Sequence, residues 1–518
     1  MKKSFEKFAQ KTSIVIVLMA FLFISNCKKS IVENQIEPYT AASIDTTGGG
    51  WKTIVVNPGT VTVAVPADPT SASYLAELAD LKATMAAATG DQKDAARYWS
   101  AGAVRWNEIA RELEAKYNLP PQPNPDGTYP VPSSTNPAGP PKYPFANPPY
   151  ASRSYAYLSV AQYDALVAAW LYKFVYKRPA PSKVDPTIVP ILFSADLPAF
   201  PSEDAVIAAA SGKLLKFFFP LDSDMINQKI TEHENSRLWA GANVRSDIAA
   251  GDALGKTIAA TIIAKAKTDG MKNAVGSQPK WDSLYNDALN RVTTPWISRE
   301  HPPRPPMLPF FGMVTNWNFD AATRATLRPG PPPAIGSAEF NTALNELKGF
   351  SKNLTREQYR IADFWNDGLG TPTPAGHWNK TACDLIVQYK MNQLRAARTL
   401  ALLNTAEMDA GVCCWDTKMY YYYPRPSQVD PSITTAIGIP NFPSYTSGHA
   451  TFSAAAATVL GYIFPAESGN LTSLAKEASE SRIYAAIHYR FDCDAGFMCG
   501  EKIGQYAVTR GQADGSLQ

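Results

Sequence analysis

The sequence predicts an all-α protein built as two packed helical bundles. Three observations point there. Long stretches space their apolar residues three and four apart, the period of one helix face, whereas alternating strand patterns are scarce. Several of these stretches open on residues that cap helix N-termini, such as Ser202-Glu203-Asp204 and Thr355 with Gln358. Between them lie runs of proline, which end helices. At 518 residues the chain is long enough for a large core or two domains.

Residues 1–27 read as a targeting segment. Lys2, Lys3, Lys7 and Lys11 precede an apolar run at 14–24, which is short of the roughly 20 residues needed to span a bilayer. The run ends Ile24-Ser25-Asn26-Cys27, which resembles a bacterial lipobox with Cys27 as the acylated residue. The expectation is an exported lipoprotein at the outer membrane, in the periplasm or on the cell surface, touching membrane only through its lipid. Residues 28–90 read as a tether and extension. Within them 51–65 is rich in β-branched residues, which predicts a short strand or hairpin.

Residues 91–350 should form the N-terminal bundle and 351–518 the C-terminal one. Helices are expected at 73–89 and 93–117. Pro120-Pro121, Pro140-Pro141 and Pro148-Pro149 make 119–150 a long loop. Helices follow at 152–176, 202–219, 222–240 and 246–268. Gly251 to Thr257 resembles a phosphate-binding loop only superficially: three residues separate its glycines where four are needed, and no strand precedes it. Those glycines fit close helix packing instead. Prolines mark loops at 301–309 and 328–333. The remaining helices are expected at 337–350, 355–365, 382–406, 450–463, 471–489 and about 496–509. No internal repeat of fixed period is evident.

A net charge of +3 carries no nucleic-acid footprint. Besides Cys27 there are five cysteines, of which Cys493 and Cys499 are close enough in sequence to suggest a bridge. No zinc-type ligand spacing occurs. A homo-oligomer is compatible with the sequence.

The chemistry concentrates at 418–492. Lys418 and Arg425 are followed by Ser447-Gly448-His449, then by Arg482, His488 and Asp492. Three fixed cations, a hydroxyl, a glycine N–H and two histidines suit a tetrahedral oxyanion, because guanidinium and ammonium groups give strong charge-assisted hydrogen bonds. The alanine-rich run after His449 reads as a helix start, which places Ser447 to His449 at an anion-binding helix N-terminus. His488 and Asp492, four apart, should share a helix face, with the carboxylate fixing the imidazole tautomer.

The order Lys-x6-Arg-Pro, Pro-Ser-x-x-Ser-Gly-His, Ser-Arg-x5-His-x3-Asp resembles the signature shared by type 2 phosphatidic acid phosphatases and vanadium-dependent haloperoxidases. Trp415 and Phe442 resemble the chloroperoxidase branch, and the block around Asp367-Gly368 resembles the haloperoxidases. Thr446 departs from it, since many members have proline there. The resemblance implies a fold of two four-helix bundles, with vanadate as cofactor and vanadium held by His488. Lys418, Arg425, Ser447, Gly448 and Arg482 would surround its oxygens, and His449 would act as acid and base. Asp367 would pair with Arg482, and Trp415 and Phe442 would shape a halide pocket. Hydrogen peroxide and halide would be the substrates. The alternatives are a phosphohydrolase working through a phosphohistidine at His488, without a cofactor, and a non-catalytic surface lipoprotein. His233, His301 and His377 receive no catalytic role.

Overall fold

Two helices, α4 (Pro148–Tyr176) and α13 (Gln393–Tyr421), run side by side through the middle of the molecule. The computed structural model describes residues 36–119, 122–129, 147–192 and 196–516, and among these residues there is no strand. Before α4 come α1 (Ala72–Ala87), α2 (Gly90–Tyr98) and α3 (Gly102–Tyr117). After it, α5 (Glu203–Phe218), α6 (Ser223–Trp239) and α7 (Arg245–Ala266) complete the first bundle. The connection holds α8 (Gln278–Leu289), α9 (Ala321–Leu327), α10 (Ala338–Asn353), α11 (Arg356–Phe364) and α12 (Thr373–Gln388). The second bundle is α13 with α14 (Gly448–Ile463), α15 (Ser468–Tyr484) and α16 (Arg490–Gln512). Both central helices are buried along most of their length, including charged residues such as Asp164 and Glu407.

Glycines set the closest approaches. A Cβ on Gly251 or Gly255 of α7 would lie within 2.5 Å of backbone oxygens of Ser202 or Val206, and one on Gly500 of α16 would lie 2.3 Å from the Thr451 oxygen. The glycine pair at 251 and 255 therefore does serve close packing. Its counterpart on α16 seats that helix against the first turns of α14, where the oxyanion motif lies.

The two bundles are copies of one arrangement, contrary to the expectation of no repeat. α4, α5 and α6 each recur as α13, α14 and α15 at an offset of 245 residues, and α7 and α16 begin at the same offset. Asn147 and Asn392 cap the central pair, and Ser202 and Ser447 cap the next. On the central helices Asn404 donates to Ser159, its own counterpart, at 2.9 Å, as residues do on a two-fold axis. The period far exceeds that of solenoid repeats, and most positions have diverged, so the pattern lies in helix lengths and caps.

Three further expectations are corrected. Residues 51–65 form no strand, because the backbone N–H groups of Ile54, Val55 and Val56 all donate to the carboxylate of Asp164, which takes the place of a partner strand. The helix expected over 471–489 ends at Tyr484, since Ala486 turns through positive φ, and α16 begins afresh at Arg490. Cys493 and Cys499 are both free and buried. Six residues apart on one helix, they are separated by a rise of about 9 Å, beyond disulfide reach.

Cys27 and its preceding segment, and residues 130–146 of the proline-rich stretch, lie outside the described residues. Ile36–Gln518 form one compact unit. Among the described residues no helix is long and apolar enough to cross a membrane.

Candidate oxyanion site

Four pieces of chain meet beside the N-terminus of α14. Lys418 comes from the last turn of α13 and Arg425 from the turn after it. Arg482 comes from the last turn of α15, and His488 from the link between α15 and α16. Lys418, Arg425 and Arg482 are at most 1% exposed, and among the described residues none of them forms an ion pair. Lys418 Nζ donates to the carbonyls of Pro443 and Ser444 at 2.8 and 2.9 Å. Arg425 donates to Phe442 and Ile487 oxygens, but its buried Nη2 finds no protein partner. Arg482 donates to Ser481 Oγ and to the carbonyls of Ala362 and Trp365.

Burial without counter-charge disfavours the charged forms. It pushes Lys418 down to about 7, with Arg425 adding to the effect. Burial likewise lowers Arg425 and Arg482 to about 10.

His488 Nδ1 lies 2.9 Å from Asp492 Oδ2, and its Nε2 lies 3.0 Å from Arg425 Nη1. Since the guanidinium can only donate, Nε2 is the acceptor and Nδ1 carries the proton. Burial, then Arg425 and Lys418, keep this imidazole neutral. The pairing is the predicted one, but its origin differs. Asp492 occupies the first turn of α16, where it also accepts from Tyr489 N at 3.2 Å. The carboxylate therefore caps a new helix and reaches back to a histidine outside it. Ser444 Oγ donates to the same oxygen, a role that no local spacing in the sequence signals.

Ser447 is the N-cap of α14, its Oγ accepting from Ala450 N at 3.4 Å. Nothing lies within 4 Å of where a Cβ on Gly448 would stand, so this helix N-terminus faces open space. His449 follows, its Nε2 3.5 Å from Asp367 Oδ2. Burial, and then Arg482, hold His449 down at about 4 against the opposing effect of Asp367.

Asp367 departs from expectation. It contacts His449 and His377 in place of Arg482, with His377 Nδ1 at 3.1 Å from Oδ1. Arg482 is already committed to the carbonyls of α11. Burial opposes ionisation of Asp367, but its hydrogen bonds to the two histidines outweigh that and hold the carboxyl well below its usual range. His377, stacked on Trp365 with ring centroids 4.2 Å apart, is the residue that fixes Asp367, a role its sequence position did not suggest. Trp415 and Phe442 lie together, with ring centroids 5.0 Å apart. The Trp415 Nε1 donates to Met307 O, and Lys418 and Arg425 both lie over the Phe442 ring. His233 lies away from this site, between Trp99 and Asp204.

The donor set fits a tetrahedral oxyanion. Three unpaired cations, an unpartnered Arg425 Nη2, a helix N-terminus facing open space and an acceptor nitrogen on His488 leave positive charge in excess.

The sequence profile of the PAP2 superfamily matches residues 399–513. No curated protein matches the chain. Among solved structures, a bacterial vanadium-dependent iodoperoxidase is similar at 20% identity, with TM-score 0.57, over 78% of this chain and 95% of that one. The holo form of a bacterial vanadium-dependent chloroperoxidase aligns at 14% identity, with TM-score 0.49, over 74% and 96% of the two chains. Its apo form aligns at 12%, with TM-score 0.48, over 70% and 93%. The oxyanion residues from Lys418 to Asp492 lie inside the segment that matches the PAP2 superfamily, and the chain shares the fold of the iodoperoxidase over most of its length.

Proposed function

We propose that this chain is a vanadate-dependent haloperoxidase that oxidises halide with hydrogen peroxide to hypohalous acid. The observation that carries the reading is the set of three buried cations without paired carboxylates around a histidine whose Nε2 is unprotonated and presents its lone pair to Arg425. His488 Nε2 would hold vanadium, and Lys418, Arg425, Arg482, Ser447 Oγ and the Gly448 N–H would hold the oxygens. Bound vanadate would supply Lewis-acid activation of peroxide at constant oxidation state.

The chain's own residues do the rest. Asp492, itself held by Ser444, keeps the His488 proton on Nδ1 and so leaves Nε2 as a lone pair. His449 moves the peroxide proton at Nε2. Burial and Arg482 keep it neutral at rest, and a bound anion would raise its proton affinity. Asp367, fixed by His377, faces that nitrogen and stabilises the imidazolium. Trp415 and Phe442 would wall the halide side, beside the Lys418 and Arg425 charges. The likeness to an iodoperoxidase supports halide oxidation, and the profile match supports the second reading, phosphate-ester hydrolysis with His488 as nucleophile and His449 as acid. In either case the anchor at Cys27 and export belong to the proposal.

The test is halide oxidation by the purified protein with hydrogen peroxide and iodide or bromide, with and without vanadate, beside hydrolysis of p-nitrophenyl phosphate. Vanadate-dependent oxidation that His488→Ala abolishes supports the haloperoxidase. Ester hydrolysis inhibited by vanadate, without halide turnover, replaces it with the phosphatase.

A further inference from the structure

The duplication brings a second set of the same residues together in the first bundle. At the 245-residue offset Lys173 stands for Lys418, Ser202 for Ser447 and Ser236-Arg237 for Ser481-Arg482. Likewise Asn243 stands for His488 and Asp247 for Asp492.

The local geometry is copied as well. Lys173 Nζ donates to Pro198 O, as Lys418 does to Pro443 O. Arg237 Nε donates to Ser236 Oγ at 2.9 Å, and Arg482 does the same to Ser481. Val244 N donates to Asp247 Oδ2, and Tyr489 N to Asp492 Oδ2. Ser202 N donates to the Asp247 carbonyl, and Ser447 N to that of Asp492. Arg178, just past the end of α4, supplies a third cation, as Arg425 does past α13.

Two positions differ in kind. Glu203 replaces Gly448, and Asp204 replaces His449. Their carboxylates meet the cations: Lys173 pairs with Glu203 at 2.7 Å, and Arg237 with Asp204 at 3.4 Å. Arg178 pairs with Asp247 at 2.6 Å. Every cation of the first cluster has a carboxylate, whereas none of its counterparts in the second has one. A cavity of roughly 390 Å³ reaches this cluster and is lined by Glu203, Asp204, Arg237 and Asn243 among others.

We infer that the first bundle holds a second oxyanion site, closed by the chain's own carboxylates, with Glu203 and Asp204 standing where a tetrahedral anion sits in its duplicate. The inference rests on reading the C-terminal cluster as an oxyanion site. Removing the two carboxylates restores a helix N-terminus and frees Lys173 and Arg237, so the first bundle gains an anion site for sulfate, phosphate or vanadate.

The experiment counts sulfate equivalents by calorimetry on the full chain, as wild type and as E203G/D204H. The expected result is one more equivalent in the variant than in wild type. A wild-type count of zero, with one in the variant, would sink the C-terminal reading but leave this one standing. An unchanged count in a folded variant overturns the inference, as does a wild-type count of two. Should the double variant fail to fold, E203G alone is melted in sulfate and in chloride at equal ionic strength. A sulfate-specific rise in melting temperature beyond that of wild type supports the inference, and equal shifts overturn it.

Discussion

The charge state of Lys418 gives the most direct physical test of the site. Burial, with Arg425 adding, pulls its ammonium down to about 7. A dianion placed among the cations acts the other way and returns it towards its ordinary value of about 10.4. Anion binding is then coupled to proton uptake by Lys418. With those two values, affinity falls roughly tenfold between pH 7 and pH 8.5, and most of a proton is taken up at pH 8. Neighbouring groups titrate outside this window: His449 at about 4 and Asp492 at about 6 lie below it, and Arg425 and Arg482 at about 10 lie above it. Sulfate is the suitable probe because its own charge is constant there, unlike that of phosphate or vanadate. Calorimetric titrations in two buffers of different ionisation enthalpy, at fixed ionic strength, give affinity and proton uptake together. Lys418→Arg should bind with little dependence on pH in this range. A wild-type affinity that changes less than about twofold between pH 7 and 8.5, without proton uptake, would refute the argument that burial discharges this lysine.

Three further outcomes are expected. His488→Ala should lose vanadate-dependent halide oxidation to background while its circular dichroism and melting stay those of wild type; retained activity would remove His488 as the vanadium ligand. Asp492→Asn should weaken vanadate binding by about 10- to 100-fold, because the partner that fixes the ligand's tautomer is lost; vanadate titration monitored by recovered activity measures it. Asp367→Asn removes the carboxylate that holds the His449 proton, so the acid limb of the rate profile should move down by roughly one pH unit; an unmoved limb would exclude His449 as the titrating base.

Legibility followed the range of the interactions. Lys418, Arg425, Ser447, Gly448, His449 and Arg482 could be read because each lies at or near a helix end, and helix ends are encoded locally by Ser447 at the cap and by the alanines behind it. Helices such as 202–219 and 450–463 were readable for the same reason. What escaped was non-local. The fate of 51–65 depends on Asp164, more than 100 residues on. The partners of Asp367 depend on how α11, α12 and α14 meet, and a motif cannot say that His377 will reach the carboxylate before Arg482 does. The break at Ala486 is a different failure: apolar periodicity runs through the junction of α15 and α16, and the cue for a new helix is Asp492 capping from inside its first turn. The duplication left its strongest marks in caps, glycines and helix lengths, while the residues that would have betrayed it, Glu203-Asp204 against Gly448-His449, are the ones that changed.

That contrast also yields the converse experiment. If two residues at a helix N-terminus decide whether three cations face a carboxylate or an external anion, then Gly448→Glu should close the C-terminal site. The position has room, since nothing lies within 4 Å of a Cβ there. In the first bundle the equivalent Glu203 reaches its lysine at 2.7 Å, so the new carboxylate should reach Lys418 over the same span. An opposite charge at that distance favours the ammonium, so the pH dependence of stability that comes from Lys418 should shrink. The sign follows from the lowered folded value: a lysine at about 7 when folded and about 10.4 when unfolded costs stability increasingly as pH falls from about 10 to about 7. The variant should therefore lose less stability than wild type over that range in denaturant melts. It should also lose sulfate binding and halide oxidation together. Continued sulfate binding at wild-type affinity would show that the cations do not share one anion-sized space with the α14 N-terminus, and the charge argument for both bundles would fail with it.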